Sequence, residues 1–159
     1  LGLEIYLVER VNMLKYLTAF VMASLSVPAL AGNCEQVVKS NDLMQFDVKE
    51  IVVSPSCKKF TVRLEHTGKL PKSAMGHNWV LSRETDFQEL AKAGAAAGLG
   101  KEFVPDDPRI IAKTKLLGGG ESDAVTFNVS RLSSGTNYTF FCSFPGHWAM
   151  MKGVLRVGK

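Results

Sequence analysis

A cysteine, a histidine and two methionines fall within ten residues near the end of the chain, in the run Phe140-Phe141-Cys142-Ser143-Phe144-Pro145-Gly146-His147-Trp148-Ala149-Met150-Met151. An aromatic, strand-like stretch leads into a Pro-Gly turn and places these groups on one loop. Thiolate, imidazole and thioether together suit a soft, redox-active ion. A Cys and a His with a long, weak Met are the ligand types of a blue-copper electron-transfer site, which needs one more His to complete its His2Cys plane. His77, inside the triplet Gly76-His77-Asn78, is the candidate. Four residues separate Cys142 from His147 and three more precede Met151, so one tight loop can wrap three sides of an ion, while His77 must arrive from elsewhere in the fold.

Other chemistries use the same residue types. A bare Cys-x4-His pair also reads as a buried thiol beside a surface imidazole. A zinc site would accept His77, Cys142 and His147, with a fourth position for water, but has no use for the Met and finds no general-base carboxylate beside the loop. A Cys-His nucleophilic enzyme, with Cys142 activated by His147, would need an open cleft and an oxyanion hole that a strand-turn-strand context does not offer. The triple glycine Gly118-Gly119-Gly120 has no following helix and no Lys-Ser/Thr, which argues against a phosphate-binding loop.

From Cys34 onward the chain resembles the azurin family, the small bacterial blue-copper proteins among the cupredoxins. The resemblance rests on Asn41-Asp42 leading to Met44-Gln45-Phe46, on Leu70-Pro71-Lys72 through Met75-Gly76-His77-Asn78-Trp79-Val80-Leu81-Ser82, and on the Cys142 loop. It implies that His77, Cys142 and His147 are strong ligands of one copper ion cycling between Cu(I) and Cu(II). Met151 would be the weak axial ligand, the Gly76 carbonyl the opposite axial contact, and Met150 the wrong methionine by register. It further implies a non-ligand histidine at His66, and hydrogen bonds around the sulfur from Asn78, Ser143 and the Phe144 amide. An aromatic shell of Phe141, Phe144 and Trp148 would tune the potential. Lys113 stands where many members carry a surface histidine, and Trp148 is bulkier than the small residue expected after the ligand histidine.

The elements that must position these groups read as strands. Glu35 to Lys39, Met44 to Val53, Lys58 to Glu65, Gly76 to Ser82, Arg109 to Leu117, Ala124 to Val129, Tyr138 to Phe144 and Gly153 to Val157 are the expected strands, and a slip in apolar phase between Val48 and Ile51 predicts a bulge or bend there. Phe60, Val62 and Leu64 alternate inward, and Trp79 and Leu81 alternate against Asn78 and Val80. Glu84 to Leu99 breaks the pattern, with Phe87, Leu90, Ala91 and Ala95 at helical spacing and Gly94, Gly98 and Gly100 ending it loosely. About eight strands with one inserted short helix predict an all-β, cupredoxin-like Greek-key β-sandwich, whose loops converge at one end.

Length and composition agree with one soluble globular domain: 159 residues, 46% hydrophobic and 21% charged. Residues 1–12 read as an upstream extension before an initiator Met13. Residues 13–31 read as a secretory signal peptide, with Lys15, an apolar run from Leu17 to Val27 and Ala29-Leu30-Ala31 as the cleavage site. Residues 32–159 are the copper domain. Leu30-Ala31-Gly32 resembles a lipobox, but Asn33 separates it from Cys34, so a soluble periplasmic product without a membrane span is expected. Three cysteines in a secreted chain leave one over. Cys34 and Cys57 each abut a β-like run and form the natural disulfide; the family resemblance gives the same pairing and leaves Cys142 free.

The formal charge of +4 is mild, and its lysines and arginines are scattered singly rather than striped with aromatics, which excludes a nucleic-acid binder. The expected function is a monomeric, non-enzymatic shuttle of single electrons between periplasmic partners such as c-type cytochromes and nitrite reductase. The resemblance makes His147 the ligand reaching the surface, ringed by Met44, Leu70, Ala74, Met75 and Met150, an apolar patch suited to transient docking.

Overall fold

A computed structural model describes residues 33–159; the extension and signal-peptide readings of residues 1–31 lie outside them. Alternating apolar positions build nine strands among the described residues: β1 (Glu35–Asn41), β2 (Gln45–Phe46), β3 (Glu50–Val53), β4 (Lys59–His66), β5 (Val80–Arg83), β6 (Ala112–Lys113), β7 (Ser122–Asn128), β8 (Tyr138–Phe141) and β9 (Lys152–Val157). They form two sheets, ordered β2-β1-β4-β7 and β3-β9-β8-β5-β6. The β1–β4 and β3–β9 pairs are parallel and all other neighbours antiparallel. The expected β-sandwich is therefore present, and its core lies between the sheets. Phe60, Val62 and Leu64 of β4 face Trp79, Phe140 and Leu155 there, all buried.

The strand expected over Met44 to Val53 is two strands in different sheets. Phe46 belongs to β2, beside β1, whereas Ile51 and Val53 belong to β3, beside β9. The slip in apolar phase between Val48 and Ile51 is the chain crossing from one sheet to the other, so that residues on both sides of the slip still face the interior. Asp47 fastens the departure point, its carboxylate accepting the Lys39 N–H at 2.7 Å.

Arg109 to Leu117 is likewise not one strand. Only Ala112 and Lys113 pair with β5. Asp107 accepts from the Arg109 backbone and guanidinium, folding the start into a turn. At Thr114 the side-chain oxygen, rather than a ladder carbonyl, accepts the Trp79 N–H at 2.9 Å. Pairing resumes at an isolated bridge between Leu117 and His77.

Helix α1 (Lys72–Met75) is a single turn after Pro71, and α2 (Phe87–Ala97) is the inserted helix. Its buried face is Phe87, Leu90, Ala91 and Gly94, not Ala95. Gly94 lies inside the helix because a Cβ there would come within 2.2 Å of the Phe103 carbonyl oxygen. Gly98, at φ 74°, ends it. The helix covers the outer face of β5 and β8 and makes a second apolar cluster with Val80, Val104 and Phe141. That cover is why Val80 is buried along with Trp79 and Leu81, where simple alternation would have exposed it.

Cys34 and Cys57 form the expected disulfide, which closes a separation of 23 residues ahead of β4. The Trp79 indole N–H is buried without a hydrogen-bond partner. No helix of the described residues is long and apolar enough to cross a membrane.

Candidate metal centre

Three of the expected ligands meet at one end of the sandwich. The chain reaches His77 by way of α1 and Gly76, where a Cβ would lie 2.4 Å from the Lys72 carbonyl oxygen. The two backbone hydrogen bonds to Leu117 hold it, at 3.0 and 2.8 Å. Cys142 follows the last residue of β8, and its N–H donates to the Met151 carbonyl at 3.0 Å. Gly146, at φ 82°, turns the loop so that the His147 N–H reaches the Phe144 carbonyl and the Met151 N–H reaches the His147 carbonyl.

The resulting triangle is tight. Cys142 Sγ lies 3.8 Å from His77 Nδ1 and 3.7 Å from His147 Nδ1, and the two nitrogens are 3.2 Å apart. The Gly76 carbonyl oxygen is 3.9 Å from the sulfur. A point equidistant from the three donor atoms lies about 2.1 Å from each, within the usual span of metal–nitrogen and metal–sulfur bonds, about 2.0–2.3 Å.

Electrostatics favour neutral imidazoles. Burial pushes the His77 pKa down to about 4, against the opposing hydrogen bond to Asn41, and burial alone takes His147 to about 4. The His77 Nε2–H donates to the Asn41 carbonyl at 2.8 Å, which fixes the tautomer and leaves Nδ1 as a lone pair. Burial pushes the Cys142 thiol up to about 12, opposed by the backbone N–H groups of Asn78 and Phe144 that face it. A bound cation reverses that balance, because it takes the thiolate directly.

Asn78 contributes to the sulfur through its backbone; its side chain is a clamp. The amide Nδ2 donates to Ser143 Oγ at 2.8 Å and to the Glu102 carbonyl at 3.0 Å, while Oδ1 accepts from the Ser143 N–H at 2.9 Å. His66 is occupied at both ring nitrogens, by the Met75 carbonyl and the Gly68 N–H, and its ring stacks on His77 at 4.5 Å. Of the aromatic shell, Phe144 lies against the His147 ring at 4.5 Å. Phe141 and Trp148 do not join it. They pack around Phe87 in the helix cluster, Trp148 edge-on at 6.2 Å, which anchors the ligand loop to α2.

Met151 is fully buried and Met150 is 59% exposed. Leu43, at 69% exposure, joins Leu70 and Met150 as exposed apolar residues at this end of the fold. Asp42 ties the Leu43 loop to the Leu70 loop by accepting the Lys69 and Leu70 N–H groups. Sequence reading gave no role at the site to Leu43, Asn41, Glu102 or Phe103. Two of these act through main-chain carbonyls, which leave no side-chain signature.

The model of the copper-binding proteins described as the plastocyanin/azurin family matches residues 32–158. The chain belongs to the plastocyanin/azurin family. It is 56% identical over 140 residues to the azurin of Achromobacter denitrificans, covering 87% of this chain and 94% of that one. To the azurin of Pseudomonas aeruginosa it is 54% identical over 145 residues, covering 90% and 98%. Among solved structures, an azurin (Az-iso2) from Methylomonas sp. strain J superposes with a TM-score of 0.77 at 48% identity, over 80% of this chain and 99% of that one. The fold is thus the cupredoxin sandwich of this family. Copper fits the donor set: one thiolate and two imidazoles around one ion are its soft and intermediate ligands, and His77, Cys142 and His147 converge as a single ion requires.

Proposed function

We propose that the chain is a periplasmic blue-copper protein that carries single electrons between redox partners, with His77, Cys142 and His147 as its strong ligands. Met151 and the Gly76 carbonyl would complete the site axially. The observation that carries the reading is the convergence of three donor atoms within 3.8 Å of one another on strand ends and bridged loops. When bound, copper supplies the one-electron Cu(I)/Cu(II) couple. The chain supplies the rest: hydrogen bonds to Asn41, Leu117, Met151 and Phe144 hold each ligand before any metal arrives, so little has to move when the charge changes.

Cys142 and His77 are fully buried, while His147 retains 5% exposure and its Nε2 has no protein partner among the described residues. His147 is therefore the port for the electron. Leu43, Met44, Leu70, Ala74, Met75 and Met150 form the apolar rim on which a c-type cytochrome or nitrite reductase would dock transiently. A buried thiol held near 12 is a poor nucleophile, which disfavours a Cys-His enzyme. Residues 32–159 would act as a monomer after removal of the signal peptide.

The test is reversible one-electron reduction of the copper-loaded protein by a reduced c-type cytochrome. Rapid transfer supports the reading, whereas a site that binds copper but neither accepts nor returns an electron contradicts it.

A further inference from the structure

Two adjacent residues that carry side chains, Glu102 and Phe103, sit in the left-handed backbone region at φ 56° and 58°. Non-glycine residues enter that region at a cost, and such strain gathers where a site needs a particular geometry. The turn is closed locally, by Glu102 N–H to the Leu99 carbonyl at 2.8 Å and Phe103 N–H to the Gly98 carbonyl at 2.9 Å. Those bonds satisfy the backbone but do not account for two successive strained residues. What the conformation achieves is to aim two groups at the metal centre.

The first is the Glu102 carbonyl, which accepts from Asn78 Nδ2 at 3.0 Å. It fixes which way the Asn78 amide faces. Turned over, the amide would set its oxygen against that carbonyl and its NH2 against the Ser143 N–H, two repulsive contacts. In the observed orientation Ser143 is held at both its N–H and its hydroxyl, and the neighbouring Phe144 N–H faces the sulfur of Cys142. The second is the Phe103 ring, edge-on to Phe144 with centroids 5.0 Å apart; Phe144 in turn lies against His147. Helix α2 backs the turn, since Gly94 admits the Phe103 carbonyl at a distance no side chain would tolerate.

We propose that Glu102 and Phe103 are positioning residues of the metal centre, their left-handed turn fixing Asn78 and Phe144 and thereby the two N–H groups that face Cys142. Only the second readout below rests on the copper reading of the site, so the two ideas can fail separately.

The test uses the full chain without metal and then with copper. Amide hydrogen exchange at Ser143 and Phe144 in the metal-free protein reads local opening. Glu102→Val, a β-branched residue intolerant of positive φ, and Phe103→Ala should each speed that exchange by at least about tenfold, with amides of the β4–β7 pair changed less than about twofold. Glu102→Gly, which adopts positive φ freely, should stay within about twofold of the parent. In the copper-loaded protein Phe103→Ala should lower the reduction potential, because a thiolate with looser N–H partners donates more strongly. The proposal is overturned by unchanged Ser143 and Phe144 exchange in Phe103→Ala, by equal acceleration across β4–β7, or by an unchanged potential. A glycine variant that opens as readily as the valine variant also overturns it. Should Glu102→Val fail to fold, Phe103→Ala decides alone.

Discussion

The Asn41 carbonyl oxygen accepts a hydrogen bond from His77 Nε2 at 2.8 Å, and that one contact decides what the other face of the imidazole can do. With the proton held on Nε2, Nδ1 presents a lone pair toward Cys142 Sγ, 3.8 Å away. The end of β1, which carries no candidate ligand itself, thus orients a candidate ligand on another element.

The two buried imidazoles make the metal-free protein acid-sensitive within a defined window. Their folded pKa values, about 4, lie below the unfolded value of 6.5, so between those limits the unfolded chain binds more protons than the native one. Stability should fall as pH drops from 6.5 toward 4, by at most about 1.4 kcal/mol per unit per histidine, and these two groups should add no further loss below that. Urea titrations of the metal-free protein at a series of pH values check this; a flat profile across the window would count against it.

Asn78→Ala removes the clamp between the His77 segment and the Cys142 loop. It leaves the Ser143 N–H and the Glu102 carbonyl without their partner, a change expected to cost about 3 kcal/mol. Denaturant unfolding measures the loss, and faster copper removal by a chelator should accompany it.

Replacing Cys34 and Cys57 together by alanine should lower stability by about 3 kcal/mol through the unfolded state. The disulfide belongs to the strand framework, not the metal centre, so the visible spectrum of the copper-loaded protein should not change. A shifted spectrum would mean that the disulfide and the site are coupled.

Leu43 and Met150 are the most exposed large apolar residues described, at 69% and 59%, whereas Met75 is half-buried. Leu43→Lys and Met150→Lys should therefore each slow electron exchange with a c-type cytochrome, by about tenfold, while leaving the copper absorption as it was. Stopped-flow mixing reads this, and unaltered rates in both variants would remove the docking patch from the account.

The ligand loop was legible in the sequence because its chemistry is carried by side chains at short spacing. The same holds for β4, whose alternation of Phe60, Val62 and Leu64 survives intact. Reading failed where one segment serves two partners. Met44 to Val53 keeps an apolar pattern throughout, yet it changes sheets at Asp47, and only the phase slip records the crossing. Val80 looked exposed because helix α2, which covers it, lies several residues further along. Trp148 could not be placed without that helix either. The hydrogen bonds that orient His77 and Asn78 end on carbonyls of Asn41 and Glu102, groups that every residue possesses, so no residue type announces them.

The most direct test is titration of the metal-free full chain with Cu(II), followed by visible absorption and electron paramagnetic resonance, alongside the Cys142→Ser variant. Intense visible absorption that saturates at one equivalent, bleaches on one-electron reduction and is absent from Cys142→Ser is the predicted result. A weak, tetragonal copper spectrum, or an intense band that persists without the Cys142 sulfur, would contradict the assignment.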